Sequence, residues 1–581
     1  MKRRSRCFLV SAGGEVRVWT LLMVVVALPS GFSFAKSSNE VDSILSAMTE
    51  EMARSKDNLK LEGYDAPYFI SYSVRTTERE YVSAKAGAIF SSNRVLSTTV
   101  NVDVRVGSYD LDSSEDQDIT FPSWRQFLPG NAGPIEDSVF ALRRVLWLLT
   151  DYDYKRALVS FLKVKGQKVN DPRERKRGSL TREEPVVFTE VERPFKFDRK
   201  QWENIARSVS GVLSEYDYLF DSGVEVSAVR LRRYFVNSEG TRVKAVDDYF
   251  MVVINAVTRA GDGQLLQDEV HYQTRSATQL PAEEELLRQA RNLANRLQEL
   301  RNAKVLDPIT CPVLLSAEAS GVFFHETVGH RLEGQRQENE EEGRTFTGYL
   351  GAKILPDFID IYDDPSLPAW DGTPLNGHYR VDDEGVLAKK AELVVDGILK
   401  GFLMSRKPIE GFDKSNGHGR SDGYQSPVGR MGTLVVVGKK PVSSERLRDL
   451  LLEEVRRQGK PFGLIIESVS GGSTNTSAYG YQAFKGIPKI AWRVDRDTGA
   501  LELVRGVEIV GTPLQSISKV IATSDKYGVF NGYCGAESGN IPVSTVAPEI
   551  LFKEMEIQRS SEAKEKPPIL PPPPPPRERK R

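Results

Sequence analysis

The chain reads as a multi-domain protein of the α/β (α+β) class, with mixed and antiparallel sheets carrying packed helices. Three observations predict this. Its 581 residues are too many for one ordinary core. Segments such as Arg94 to Val106 (RVLSTTVNVDVRV) alternate polar and apolar at period two, as half-buried strands do. Other segments place apolar residues at helical spacing, most clearly Pro281 to Lys304, where Leu286, Ala290, Leu293, Leu297 and Leu300 line one stripe. A hydrophobic content of 40% excludes a wholly disordered chain, and three cysteines exclude a disulfide-stapled miniprotein. With 79 Lys+Arg against 80 Asp+Glu, the net charge of −1 gives no overall attraction to nucleic acid or anionic membrane.

The elements follow in order. Residues 1–35 have the three parts of an export signal. Lys2, Arg3, Arg4, Arg6 and Arg17 are basic, Trp19 to Leu28 is apolar, and Ser33-Phe34-Ala35 places small residues for cleavage after Ala35. The apolar run is well short of the ~20 residues that span a bilayer, and Cys7 precedes it, so it is not placed for lipid attachment. An exported, processed chain without a transmembrane anchor is expected, in the periplasm or, alternatively, secreted.

Residues 36–304 form an N-terminal α+β region. A short helix is expected at Val41 to Met52, and strands at Tyr68 to Val74, Tyr81 to Phe90 and Arg94 to Val106. Helical spacing returns at Ser138 to Lys163, a charged linker covers 171–177, and Asp198 to Glu215 reads as helix. Gly223 to Thr258 is strand-rich, with a hairpin turn at Asn237-Ser238-Glu239-Gly240. Pro308 and Pro312 close the helix of Pro281 to Lys304, so a second domain is expected over 305–556, built from alternating short strands and helices. Residues 557–581 form a Pro-rich basic tail that cannot pack into a core and reads as solvated polyproline II.

Histidine is scarce, at five residues, so two of them flanking a glutamate carry information: His325-Glu326 and His330 within GVFFHETVGHRLEG. The apolar run Pro312 to Ser316 precedes them, and Ser320 can cap a helix starting at Gly321. The motif therefore sits on a helix after a strand. In a regular α-helix five residues advance about 500°, which leaves the two rings about 140° apart. A π-bulge of about 4.4 residues per turn brings the advance to about 409° and the rings onto one face. Gly329 tolerates that distortion. A bulge or kink between His325 and His330 is thus expected.

Two imidazoles are half of a tetrahedral zinc site, and catalytic zinc generally takes three protein ligands and a water. Candidates for the third are Cys534, Cys311, Glu333 and the remaining histidines. Cys534 lies between glycines in Asn531-Gly532-Tyr533-Cys534-Gly535, an open approach for a thiolate. Cys311 opens an apolar strand and reads as a buried thiol, or as the partner of Cys534 in a disulfide. Glu333 reads as a surface or supporting residue. Glu326, beside the first imidazole, is placed to take a proton from a metal-bound water and pass it to the leaving amine.

These residues resemble the TldD/PmbA family of metallopeptidases, in its TldD-like, zinc-bearing branch. Four segments carry the likeness: His325 to Gly334; Tyr362 to Gly385, with Asp363-Asp364 and Val381-Asp382-Asp383-Glu384-Gly385; Leu403 to Pro427, with Ser415-Asn416-Gly417-His418-Gly419-Arg420; and Gly532 to Gly535. It covers about residues 190 to 555. The resemblance implies one Zn2+ held by His325, His330 and Cys534, with Glu326 as the base. It also implies hydrolysis of peptide bonds in flexible peptides or unfolded segments within an enclosed cavity. A homodimer, or a heterodimer with a related subunit lacking the zinc motif, is the implied assembly. An export signal departs from the family's familiar members, and the region before residue 190 is divergent.

Asn416, His418, Arg420 and His378 are further candidates for substrate contact. The Gly-rich run Asn416 to Tyr424 offers backbone groups to an extended peptide. Val469 to Gln482 has the composition of a cavity wall. Two other functions compete with hydrolysis. One is a peptide-binding or assembly module without turnover. The other is a structural zinc protein, which needs a fourth protein ligand such as Glu333 or His418.

Overall fold

The structure, a computed structural model, describes residues 42–116, 131–170, 177–338, 344–476, 483–560, 564–566, 568, 570 and 573, together with the backbone of 7–10. Nearly all of the expected export signal, residues 117–130, most of the charged linker, and most of the Pro-rich tail lie outside the described residues.

The N-terminal region is a sheet with helices packed on it, antiparallel except for the short strand Val187–Thr189, which runs parallel to its neighbour. Its strands are β2 (Phe69–Lys85), β3 (Ala88–Arg105), β4 (Val187–Thr189), β5 (Asp221–Asn237), β6 (Arg242–Arg259) and β7 (Leu265–Thr274), in the order β3-β2-β5-β6-β4 with β7 also on β6. The two strands expected at Tyr68 to Val74 and Tyr81 to Phe90 are largely one. The polar run Thr76 to Glu80 stays in the ladder between β3 and β5, and the chain reverses at Ala86-Gly87, both with positive φ. Helix α1 (Ser43–Asn58) is longer than expected and is capped by Asp42, whose carboxylate accepts from the Ile44 and Leu45 amides. With α2 (Val139–Asn170) it covers one end of the sheet around Met48, Tyr72 and Leu146. The other end is covered by α3 (Arg199–Leu213) and α4 (Glu283–Asn302). On α4 the residues Leu286, Ala290, Leu293, Leu297 and Leu300 are all buried, and each leucine contributes roughly 1.5–3 kcal/mol.

The C-terminal region holds a 13-stranded sheet. It begins at β8 (Lys304–Val305), β9 (Ile309–Leu315), and helix α5 (Ala317–Thr327). Next come β10 (Ile359–Asp363), two ribbons formed by β11 (Ala369–Trp370) with β12 (Thr373–Pro374) and by β15 (Gly419–Arg420) with β16 (Val428–Gly429), and β13 (Ala391–Val395) with β14 (Ile398–Leu399). The rest are β17 (Thr433–Gly438), β18 (Phe462–Thr474), β19 (Phe484–Asp495), β20 (Leu501–Arg505), β21 (Val507–Gly511), β22 (Val520–Ala536) and β23 (Gly539–Arg559). The expected alternation of short strands and helices is not what forms. After α5 the α-helices among the described residues are α6 (Ser444–Arg457) and α7 (Pro513–Ile517), whereas β23 alone runs 21 residues.

The sheet curls around α5. Strand β9 is parallel to β18 and antiparallel to β23, so it joins two strands that diverge further along. Every residue of α5 except Glu318 is buried, as expected of a helix apolar nearly all round. Where β18 and β22 separate, the backbone of β1 (Cys7–Val10) lies between them, antiparallel to both. No helix among the described residues is long and apolar enough to cross a membrane.

Ionic contacts tie the two regions together. Asp383 takes Arg75 at 2.7 Å and Arg233 at 2.9 Å, both from the N-terminal sheet. Its neighbours behave differently. Burial pushes the carboxyls of Asp382 and Glu384 up into the neutral range, and the charge of Glu384 raises Asp382 further. Asp382 accepts three backbone N–H groups, from Glu384, Val386 and Gly419, whereas Glu384 accepts one, from Arg406, so the proton retained near neutrality belongs mainly on Glu384. A carboxyl raised on folding stabilises the protein at low pH and withdraws that stability as pH rises through the raised value. Melting temperature should therefore fall from about pH 5 to about pH 8, between the ordinary carboxyl range and the raised values of about 7 and about 8, and Glu384→Gln should flatten that slope. An unchanged slope by differential scanning fluorimetry would place the proton elsewhere.

Candidate metal centre

Helix α5 begins four residues earlier than expected. Ser316, not Ser320, is its cap, accepting from the Ala319 amide; such a cap is worth about 1 kcal/mol. Ser320 is inside the helix with a buried hydroxyl lacking a partner. The helix then ends at Thr327, whose hydroxyl donates back to the Phe323 carbonyl, a bond that loosens helices. Val328 turns the chain (φ −116, ψ −54) and Gly329–Leu332 continues as a 3₁₀ turn.

The backbone between His325 and His330 thus tightens and changes direction; it does not widen into a π-bulge. The rings meet from two successive segments, perpendicular, with centroids 4.8 Å apart. Gly329 matters for space: a Cβ there would lie 2.1 Å from the Met431 sulfur.

Cys534 comes from near the C-terminal end of β22, fully buried rather than in an open glycine turn. Its Sγ is 3.3 Å from His330 Nε2. One donor atom each from His325, His330 and Cys534 lie within 4.8 Å of one another. A tetrahedral zinc with ordinary bond lengths separates its N and S donors by about 3.6 Å, so the three sites can be satisfied by small adjustments. Cys311 is also buried and free, on β9, so the two cysteines do not pair.

The protonation chemistry suits a cation. Burial, then the neighbouring charges, drives both imidazoles well below their ordinary value, which leaves them neutral with lone pairs available. Both ring nitrogens of His325 and both carboxylate oxygens of Glu326 are buried without a partner. Burial also pushes the Cys534 thiol up to about 12 and the Glu326 carboxyl up to about 8. Leaving so many polar atoms unmatched costs several kcal/mol, and a metal ion bound to the His325, His330 and Cys534 donors would engage one of those four unpartnered atoms, a His325 ring nitrogen.

Glu333 is not at the surface. Its Oε1 is 3.1 Å from His330 Nδ1, which fixes the ring with Nδ1 protonated and Nε2 facing the sulfur. Arg336 donates to its Oε2 at 2.6 Å. Glu333 therefore orients the His330 imidazole and is not positioned as a fourth ligand.

Each of the four residues expected to contact substrate bonds to other parts of the chain. His418 Nε2 is 3.2 Å from Asp363 Oδ1 and its Nδ1 faces Asn416 Oδ1 at 2.9 Å. Asn416 also bonds the Met404 amide and the Phe402 carbonyl. Arg420 donates to the Met431 and Pro542 carbonyls and stacks on Tyr379. His378 Nδ1 is 2.9 Å from the Pro365 carbonyl. Short polar side chains in Gly-rich turns signal loops that need bracing as readily as loops that bind ligands.

Sequence reasoning missed Arg430, Arg336 and Gly472. A Cβ at Gly472 would lie 2.5 Å from Glu326 Cγ, so this glycine gives the carboxylate its room against β18. It falls within the expected cavity-wall stretch, of which 477–482 lies outside the described residues.

Comparison with known proteins places these features. Residues 308–559 match the family described as PmbA/TldA metallopeptidase C-terminal domain. A metalloprotease from Archaeoglobus fulgidus is 31% identical over 258 residues, 44% of this chain and 55% of that protein. A zinc metalloprotease TldD homolog from Saccharolobus solfataricus is 25% identical over 253 residues, covering 42% of this chain and 51% of its own. The chain thus spans little more than half the length of these curated relatives. TldE from Thermococcus kodakarensis has the same fold, with a TM-score of 0.58, 17% identity, and coverage of 88% of this chain and 100% of that one.

Proposed function

From the premise that this chain belongs to the TldD/PmbA metallopeptidase family, we propose that it is an exported, zinc-dependent peptidase that hydrolyses peptide bonds in extended or unfolded segments. The observation that carries this reading is the convergence of His325, His330 and Cys534 beside an unpartnered, buried Glu326.

His325, His330 and Cys534 would hold one zinc ion, which supplies a polarised carbonyl and a water acidified to a pKa near ~7. The chain's own residues do the rest. Glu333 holds the His330 ring in one tautomer. Glu326 holds or releases a proton near neutrality because burial has raised its carboxyl to about 8, which suits a group that must first accept a proton and then return it. Arg331 anchors the turn by donating to the Glu326 carbonyl at 2.6 Å and to the Asn475 carbonyl.

The placement of β1 supports an extended substrate. Leu9 pairs with Cys534 on one side and Gly472 on the other, so a strand in this gap passes beside both the metal ligand and the base. Main-chain pairing reads shape more than sequence, which favours unfolded segments over folded ones. The basic, apolar and small-residue order of residues 1–35 supports export to the periplasm. A structural metal site is disfavoured, because among the described residues the cluster has three donors, one fewer than a closed structural zinc site takes.

The test is incubation of purified protein with a mixture of unfolded peptides, with and without a chelator, read by mass spectrometry. Cleavage should disappear with the chelator and return with added zinc. Intact peptides under all three conditions would leave a binding module as the better reading.

A further inference from the structure

We propose that Arg430 is the positioning residue of the metal centre, one guanidinium that sets two of the three ligands by joining Cys534 directly to the carboxylate that orients His330. The inference rests on the metal-site reading above and adds a residue to it.

The geometry is a closed circuit. Arg430 Nη2 donates to the Cys534 sulfur at 3.1 Å and to the carbonyl of the same residue at 2.8 Å. Its Nε lies 3.3 Å from Glu333 Oε1, an ion pair without the alignment of a hydrogen bond. Glu333 Oε1 in turn faces His330 Nδ1 at 3.1 Å, and His330 Nε2 is 3.3 Å from the sulfur at which the circuit began. Nη1 is anchored apart, on the Ser538 hydroxyl at 2.8 Å. All these side chains are buried, and Arg430 is fully so. A guanidinium can do this because its donors lie in a rigid planar fork, whereas an ammonium is a point charge that reaches one partner well.

The surrounding loops explain why an arginine can be held so rigidly. The Arg430 amide bonds the His418 carbonyl at 2.9 Å. Arg420 donates to the Met431 carbonyl at 2.7 Å. Asp363 accepts from the Gly432 and Thr433 amides and also faces His418. Residues 430–432 are thus gripped from three sides by Asp363, His418 and Arg420. The motifs at 363 and 415–420 then serve the metal centre by bracing the segment that carries Arg430, not by touching substrate.

A buried ion pair could serve the fold alone, so the test needs a readout that packing would not move. Zinc affinity by chelator competition and the thiolate-to-cobalt charge-transfer band of the cobalt(II) form supply two. Arg430→Lys should weaken zinc binding by about 10–100-fold, the usual effect of losing a residue that orients a ligand, and should shift the band. Glu333→Gln should weaken binding comparably and also shift the band, although Glu333 does not touch the sulfur. The double variant should lose little more than either single one, because both act through one connection. Should Arg430→Lys fail to fold, Glu333→Gln carries the test through the same band. Zinc affinity within twofold of the parent with an unmoved band, or losses that simply add, would overturn the proposal. Absence of metal binding by the parent chain would instead overturn the reading on which it rests.

Discussion

Glu326→Gln is expected to lower peptide hydrolysis by about 10²–10⁴-fold while zinc content stays at the parent level. The two halves of this result come from different atoms. The amide has nearly the volume of the carboxyl, so it fits the space that Gly472 leaves beside β18. It takes no place among the three converging donors, which belong to His325, His330 and Cys534. What it cannot do is accept a proton and give it back. Replacement also removes a buried acid that burial has raised to about 8. The native carboxyl withdraws stability as pH rises through that value, so the metal-free variant should be no less stable than the parent at pH 9. Single-turnover hydrolysis together with zinc stoichiometry checks both halves. A variant that cleaves peptides at the parent rate would remove Glu326 from the chemistry, and one that loses zinc would make it a ligand or a structural residue.

How far the sequence could be read follows from the range of the forces involved. The α4 stripe and the Asn237–Gly240 turn are set by neighbours a few residues away, and they appear where period and turn residues place them. The long strand β2 was harder, because Thr76 to Glu80 looks like a break until β3 and β5 are known to flank it. His325, Glu326 and His330 stand out through the scarcity of histidine, but the shape of the backbone between them does not. Met431, about a hundred positions away, packs so closely on Gly329 in the 3₁₀ turn that a side chain there would collide with its sulfur. Arg430 illustrates the limit. Nothing adjacent in the chain distinguishes it from other arginines, and its meaning comes from Cys534, 104 residues later. The Gly-rich run at Asn416 to Tyr424 drew attention for a valid reason, its lack of side-chain bulk, but that property serves close packing between loops.

Cys534→Ser should abolish tight zinc binding, and the matching change at Cys311 should not. A serine hydroxyl does not ionise in a buried strand and is a poor zinc donor, so two imidazoles remain where three ligands stood. A loss of at least about 100-fold in affinity is expected, exceeding the effect of removing a supporting residue. At free zinc of about a thousand times the parent dissociation constant, bound metal stabilises the parent by about 4.1 kcal/mol. A hundredfold weaker site retains about 1.4 kcal/mol of that. Zinc should therefore raise the melting temperature of the parent strongly and that of the variant little. Cys311→Ser sorts the result from simple damage to the core. Its thiol is buried on β9 among apolar residues and lies outside the ligand cluster, so a hydroxyl there costs roughly 1–3 kcal/mol of stability yet leaves the zinc-induced shift intact. One variant loses the increment from metal and the other loses the baseline. A Cys534→Ser protein that keeps the parent's zinc-induced shift would remove the sulfur from the metal centre, and with it the link between β22 and the histidine turn.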